Sequence, residues 1–282
     1  MLKAAIMATL LSRPTARKPF LISPDPSMLY MTPTLKTTLY KVDFVVENRQ
    51  GLTLIMGDAG LGKSSVLRLL LSRYSAREET VVTQLIPTPA FSSDFMFLKA
   101  ICAEFDIPSR RSMLAQLNEF RDYLMDLHSK GKTALLLIDE AQKLPGKQLE
   151  MIRTLLNYET SKEKLIQIVL AAQLELRDRL RDKTKKALRS RVFAPSLLAS
   201  MSIGETKDMI AYRCEQAEIK NPFTDEAIEM IYTNTGGVPR QVLQVCALAY
   251  DMGQRAGVDK LPMEIIEMAA QEAIYRDDLD DE

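Results

Sequence analysis

Apolar residues along this chain follow two regimes that change near residue 200. Before that point, short and nearly unbroken apolar runs alternate with longer segments whose apolar positions recur every three or four residues. The runs at 52–56, 81–86, 134–138 and 166–171, with a shorter one near 192–197, read as strands. Ala134-Leu135-Leu136-Leu137-Ile138 and Ile166-Gln167-Ile168-Val169-Leu170-Ala171 are apolar almost throughout, the mark of strands covered on both faces. Helical periodicity fills the intervals at about 63–74, 93–105, 113–129, 147–158 and 174–181. An earlier helix from about 34 to 49 follows Thr32-Pro33, a capping hydroxyl and a proline suited to the first turn. This alternation predicts an α/β fold, a parallel sheet with helices on both faces. From about 203 onward the strand signal stops. Helical patterns at 204–217, 224–235, 239–256 and 262–273, punctuated by Gly and Pro, predict a small α-helical second domain with its boundary near 199–204.

Composition narrows the picture in only a few places. At 282 residues the chain suits one large or two small domains. Lys+Arg and Asp+Glu are equal at 37 each, so net charge names no nucleic-acid or membrane partner. The ends are uneven: Lys3, Arg13, Arg17 and Lys18 make the start basic, and Asp277, Asp278, Asp280, Asp281 and Glu282 make the end acidic. Residues 4–12 are too short an apolar run, without a small-residue cleavage site, for a convincing signal peptide. No stretch approaches eighteen uninterrupted apolar residues, so no membrane span is expected. Cys102, Cys214 and Cys246 are odd in number and lack metal-ligand spacing, which predicts buried, reduced thiols and favours the cytoplasm. His128 is the single histidine and is given no role.

The densest chemistry lies directly after the first strand. Gly57-Asp58-Ala59-Gly60-Leu61-Gly62-Lys63-Ser64 fits the spacing of a phosphate-cradling loop, with a helix opening straight after it at Ser65. Glycines let main-chain amides converge on an anion without Cβ clashes, and the helix N-terminus adds partial positive charge. Lys63 would reach the β- and γ-phosphates, and the Ser64 hydroxyl would sit on Mg²⁺.

A second cluster, Asp139-Glu140, follows the strand 134–138. Carboxylates at the C-terminal ends of parallel strands stand where ligands collect in open α/β sheets. Asp139 would hold Mg²⁺ through water and Glu140 would orient the attacking water. Gln173 falls just past strand 166–171, the expected neighbour of the Asp139 strand, and could sense the γ-phosphate. Between 177 and 191 lie Arg177, Arg179, Arg181, Lys183, Lys185, Lys186, Arg189 and Arg191 against only Asp178 and Asp182. Such a stretch can follow a nucleic-acid backbone, or supply an arginine to a neighbouring subunit's nucleotide, with Arg191 the first candidate and Arg189 the second. Arg240 in Gly236-Gly237-Val238-Pro239-Arg240 sits in a first helical turn, where a cation opposes the helix dipole and contact with a triphosphate would explain it.

With these parts in order the chain resembles the AAA+ ATPases, and within them the ExeA/GspA-type branch, over roughly residues 19–275. The resemblance rests on Leu137-Ile138-Asp139-Glu140-Ala141-Gln142, on the stretch 149–160, on Gln173-Leu174-Glu175-Leu176-Arg177, on Phe223-Thr224-Asp225-Glu226-Ala227-Ile228 and on the Gly236-to-Arg240 segment. It implies a five-stranded P-loop sheet with a helical lid and ATP between them. Gly57 to Ser64 would be Walker A, Asp139-Glu140 Walker B, Gln173 sensor 1, Arg191 the arginine finger and Arg240 sensor 2. Tyr30, with its neighbours up to Pro33, would border the adenine. The expected divisions are a mobile basic arm at 1–19, a nucleotide-binding α/β domain at 20–200, a helical lid at 201–275 and an acidic tail at 276–282.

Leu174 stands where the branch usually has proline, so the local turn is expected to differ. Secretion-type members usually continue into a membrane span and a peptidoglycan-binding module, whereas this sequence runs into the acidic stretch 276–282, so a stand-alone protein is the expectation. The resemblance then implies an ATP- and Mg²⁺-dependent ATPase that assembles as a ring or filament of its own copies. The favoured expected role is assembly on double-stranded DNA with a transposase, as in regulators of Mu- and Tn7-like transposition. The other is work with a secretion or pilus assembly protein. A purely nucleotide-gated scaffold is disfavoured by Glu140, since a scaffold needs no residue to orient water.

Overall fold

The computed structural model describes residues 18–22 and 26–280, with the side chains of 274–280 excepted. The basic arm expected over 1–19 falls outside the described residues up to residue 17, as does the apolar run 4–12. Contacts divide the chain into two units, Pro24–Ala199 and a second that joins Ser200 onward to the described residues 18–22.

The first unit begins with a single 3-10 turn, Pro26–Met28, followed by α1 (Pro33–Glu47). Thr32 caps α1, its hydroxyl accepting the Leu35 N–H at 3.2 Å, and Pro33 takes the first turn where a missing N–H is harmless. Then come β1 (Leu52–Met56), α2 (Lys63–Ser75), β2 (Val81–Ile86), α3 (Asp94–Glu104), α4 (Met113–Ser129) and β3 (Thr133–Ile138). A 3-10 turn, Ala141–Lys143, leads into α5 (Gly146–Leu155), followed by β4 (Ile166–Ala172), α6 (Leu174–Arg181), the single turn α7 (Lys186–Arg189) and β5 (Ser196–Leu197). Ser93 and Ser112 cap α3 and α4 with their hydroxyls, accepting from Met96 and Ala115 at 3.2 Å each.

All five strands run parallel in the order β2-β3-β4-β1-β5. β3 and β4 are buried at every position, as their unbroken apolar runs predict. One core layer packs Phe97, Ile101, Phe120 and Leu124 of α3 and α4 with Leu136, Ile152 and Ile168, each fully buried. Burial of a side chain of this size contributes about 1.5–3 kcal/mol. Register sets the functional edge: Met56 lies beside Ala172, and Ile138 beside Leu170. The residues that follow, Gly57, Asp139 and Gln173, therefore leave the sheet at the same end. β1 and β2 are consecutive in the chain yet lie on opposite sides of the β3–β4 pair, so the strand order reverses there and opens a crevice at that edge.

The strand expected over 192–197 is interrupted. Val192 makes an isolated bridge to Leu52 and Ser196–Leu197 pair with β1, but Ala194 between them has φ 45° and breaks the ladder. The helix expected to reach 158 stops at Leu155, where the chain turns back through a bridge between Glu159 and Lys164.

The second unit holds α8 (Ile203–Gln216), α9 (Asp225–Thr235), α10 (Pro239–Ala256) and α11 (Met263–Asp280). α8 opens on a capping box in which Ser202 and Glu205 satisfy each other's amides. Two boundary expectations are corrected here. Phe20, expected in the α/β domain, is buried in this unit edge-on to Phe223 and Tyr250, at 5.5 and 5.9 Å between ring centroids. The tail expected at 276–282 is helical to Asp280, because no Gly or Pro after Pro262 stops α11. The three cysteines are buried and unpaired, and burial raises the Cys102 and Cys214 thiols to about 11.

Gly237 is a tight backbone position in the helical unit, closed in by main chain. It has φ 71°, its carbonyl accepts the Met201 N–H at 2.9 Å, and a Cβ there would lie 2.1 Å from the Met201 carbonyl oxygen. Gly257 has a similar φ of 69° with no neighbour within 4 Å. Gly257→Ala therefore isolates the left-handed penalty, about 1 kcal/mol. Gly237→Ala adds a main-chain collision and is expected to destabilise by about 3 kcal/mol or more in urea unfolding followed by circular dichroism. Equal losses for the two variants would mean that the Met201 segment yields freely.

Candidate nucleotide site

β1 is buried at all five positions and delivers the chain into a loop that only glycine can shape. Gly60 and Gly62 have φ 77° and 91°, in the left-handed region. Gly57 has φ 158°, and a Cβ there would meet the Leu198 carbonyl oxygen at 3.0 Å and Leu61 at 3.1 Å. A side chain at 57 would thus push the loop away from β5. Gly62 is the N-cap of α2, so Lys63 and Ser64 occupy its first two positions and the loop closes over the helix N-terminus. Lys63 is only 5% exposed, and its ammonium donates to the carbonyls of Gly57 and Asp58 at 2.8 Å each. The loop is held around its own lysine. Asp58 and Ala59 are exposed at its tip, Leu61 is buried beneath it, and Ser64 and Ser65 are half-buried.

Across the edge, Asp139 continues β3, its N–H donating to the Ile86 carbonyl at 2.9 Å. It is 8% exposed, and one carboxylate oxygen accepts the Glu140 N–H at 2.9 Å. Glu140 itself adopts φ 50°, a left-handed conformation unusual for a residue with a side chain and frequent where function fixes the backbone. Its carboxylate accepts a hydrogen bond from the Gln142 side-chain amide at 2.8 Å and lies 3.6 Å from the Lys143 ammonium. Gln173, the N-cap of α6, donates its N–H to the Gln142 side-chain oxygen at 3.1 Å. Leu174 opens α6 at the position where the resembled branch has proline, and the helix forms there without it.

The strand edge thus gathers the loop 57–64, Asp139, Glu140 and Gln173 within the α/β unit. The other expected site residues lie elsewhere. Arg191 is half-buried, donating to the Ala187 carbonyl at 2.6 Å and the Asn157 side chain at 2.8 Å. Arg189 caps α6 from outside, donating to the carbonyls of Leu180 and Arg181 at 3.3 and 3.0 Å. Tyr30 is half-buried in the segment before α1. Arg240 is exposed at the second position of α10, within the helical unit, with Pro239 first as its sequence predicts.

Two residues at the edge were given no role by sequence reasoning, Gln142 and Arg179. Arg179 places its guanidinium against the carbonyls of Gln142 and Leu144, at 2.5 and 2.6 Å. In the sequence it is one cation in a basic stretch; only the turn after Asp139 shows that it points inward.

The donor set suits a magnesium–nucleotide pair. Among the described residues no group of three or more His, Cys, Asp or Glu side chains could hold a metal alone. A magnesium ion does not need one, since it keeps several waters and takes the rest of its shell from phosphates and one or two protein oxygens. Ser64 and Asp139 would supply such oxygens. Among the described residues no helix is long and apolar enough to cross a membrane.

Residues 46–180 match the AAA domain family. Over 257 residues, 90% of the chain, it is 32% identical to general secretion pathway protein A of Aeromonas hydrophila, and it spans 46% of that relative's length. Among solved structures it is similar to the Aeropyrum pernix ORC2 protein in its ADPNP–ADP complexes, with TM-score 0.67 and 16% identity over 91% of this chain and 71% of that one. The Aeropyrum pernix ORC1 protein in complex with DNA gives TM-score 0.68 and 16% identity over 91% and 69%. The glycine loop, the strand order and the match over residues 46–180 give this chain the AAA+ P-loop fold, with similarity to general secretion pathway protein A.

Proposed function

We propose that this chain binds ATP with Mg²⁺ at the loop 57–64, hydrolyses it, and uses the bound nucleotide to control association between its own copies. The observation that carries this reading is the buried Lys63, held inside a glycine loop on the same strand edge as Asp139 and Glu140. The loop amides and Lys63 bind phosphate oxygens. Ser64 and Asp139 would hold Mg²⁺, which supplies charge neutralisation on the phosphates when bound. Glu140 orients water and accepts its proton, and Gln173 reads the γ-phosphate. Arg191 serves a neighbouring copy's nucleotide, with Arg189 as second candidate, and Arg240 and Tyr30 complete the nucleotide contacts.

For the output of hydrolysis, assembly of a secretion or pilus machine is the better supported role. The relative named general secretion pathway protein A aligns over 90% of the chain. The basic stretch 177–191 also spends much of its charge internally, because Arg179, Arg189 and Arg191 bond to the chain's own oxygens. Assembly on double-stranded DNA, with a role in transposition, is the second reading. The exposed Lys183 and Lys186 and the likeness to a protein solved with DNA support it.

One set of measurements separates these statements. Wild-type protein is expected to hydrolyse ATP only with Mg²⁺ and to sediment as a larger species with ATP than with ADP. Arg191→Ala is expected to keep its ATP affinity and lose about 10³-fold or more in hydrolysis, the range of an arginine acting in trans. Normal turnover by that variant removes Arg191 from the site. DNA binding that falls steeply with salt, or stimulation of hydrolysis by DNA, favours the second reading; neither at low salt removes it.

A further inference from the structure

We propose that Gln142 is a positioning residue for hydrolysis: its side-chain amide holds the Glu140 carboxylate toward the attacking water and fastens it to the end of β4. The proposal rests on the ATPase reading above.

The amide of Gln142 is specified from both sides. Its oxygen accepts the Gln173 main-chain N–H at 3.1 Å, and its nitrogen donates to Glu140 Oε2 at 2.8 Å. The reverse orientation would set an amide N–H₂ against an N–H and an oxygen against a carboxylate, so only one arrangement satisfies both partners. Glu140 has little else to hold it. Its left-handed backbone places it before the 3-10 turn, outside any regular helix. The Lys143 ammonium is 3.6 Å away on a side chain more than half exposed, a contact of little energetic weight.

The turn that carries Gln142 is itself anchored. Arg179 grips the carbonyls of Gln142 and Leu144 with two nitrogens of one planar fork, the charge-assisted geometry that best fixes orientation. Arg179 belongs to α6, and the N-cap of α6 is Gln173. The helix therefore holds this turn at two places, the Gln173 N–H on the Gln142 side chain and the Arg179 fork on its main chain. A shift of α6 would carry Gln142 with it, and Glu140 follows through the amide. Sequence gives no sign of this, since a glutamine two residues after a carboxylate pair reads as surface.

The test uses the full chain, with ATP and Mg²⁺. Gln142→Met keeps the side chain's length without either hydrogen bond. Gln142→Glu keeps an acceptor for Gln173 and turns an oxygen toward Glu140. Both are expected to lower kcat on the order of 10- to 100-fold, the penalty of a misplaced reacting group, with Gln142→Glu at least as slow. ATP affinity is expected to stay within about twofold of wild type, because the lost contact serves the transition state and not ground-state binding. The Arg179 fork remains in both variants, so melting temperatures are expected to stay within about 2 °C. Turnover by Gln142→Met at the wild-type rate or faster overturns the proposal. Parallel loss of ATP affinity or of thermal stability does so too, since it marks a merely structural residue. Absence of hydrolysis by the wild type is the distinct failure of the ATPase reading itself.

Discussion

Replacing Lys63 with alanine is expected to abolish measurable ATP binding while leaving the α/β unit folded. The side chain is buried, and its ammonium already donates to the phosphate loop, to the carbonyls of Gly57 and Asp58. The ammonium is thus preorganised at the place where phosphate charge would arrive, and its ordering entropy is spent before the ligand binds. Hydrogen bonds to charged groups contribute about 1.5–3 kcal/mol each, so loss of the contacts to the β- and γ-phosphates weakens affinity on the order of 10²- to 10⁴-fold. Two loop carbonyls also lose their donor, which loosens the cradle around the glycines. Titration calorimetry with ATP and Mg²⁺ reads the affinity directly. A second readout is ligand-linked stability: nucleotide at a hundred times its dissociation constant stabilises the wild type by about 2.7 kcal/mol, and the variant is expected to lose that gain. If Lys63→Ala still binds ATP with near wild-type affinity, the loop is a structural turn, and the assignments built on it fall together.

The parts of this molecule legible in its sequence are those where one residue type has one physical use. β3 and β4 announce themselves because strands covered on both faces must be apolar at every position, and both are buried throughout. The phosphate loop is legible because left-handed backbone at Gly60 and Gly62 excludes most other residues. Asp139 and Glu140 follow from their place after β3. What stayed hidden depends on partners remote in sequence. Phe20 joins the helical unit through Phe223 and Tyr250, some two hundred residues away, and no local pattern reports that choice. Ala194 interrupts the fifth strand with an φ of 45°, although nothing in its own chemistry asks for it. Arg179 and Gln142 are ordinary polar residues whose use is decided by the turn at 141–143. His128, left without a role, lies 2.7 Å from a carboxylate oxygen of Glu163, the oxygen that also receives Arg49 at 3.0 Å. That cluster stands near the opposite end of the sheet, where Lys164 pairs with the main chain of Arg49. Hydrogen bonding from His128 is the largest of the effects that hold the Glu163 carboxyl below its usual range.

Glu140→Gln is expected to separate binding from chemistry, and the local geometry explains why glutamine is the right substitution. Glu140 sits at φ 50°, so alanine would alter the intrinsic preference of a strained position together with its charge. Glutamine preserves shape, leaves the main-chain bond from residue 140 to Asp139 in place, and still offers an oxygen to the Gln142 amide. The difference that remains is basicity. A neutral amide cannot take the proton from the attacking water, and loss of a positioned general base costs about 10²- to 10⁴-fold. ATP affinity should hardly move, because Lys63, the loop amides and Ser64 are untouched. Hydrolysis measured by phosphate release is then expected to fall by that factor, with the dissociation constant of ATP unchanged in calorimetry. If nucleotide controls association of copies, the variant with ATP and Mg²⁺ should also stay in its larger form for hours while the wild type returns to its starting size. Rapid hydrolysis by Glu140→Gln would remove this carboxylate from the chemistry and leave Gln142 with nothing to position. A slow variant that still disassembles on the wild-type schedule would keep the carboxylate's role but cut the link between hydrolysis and assembly.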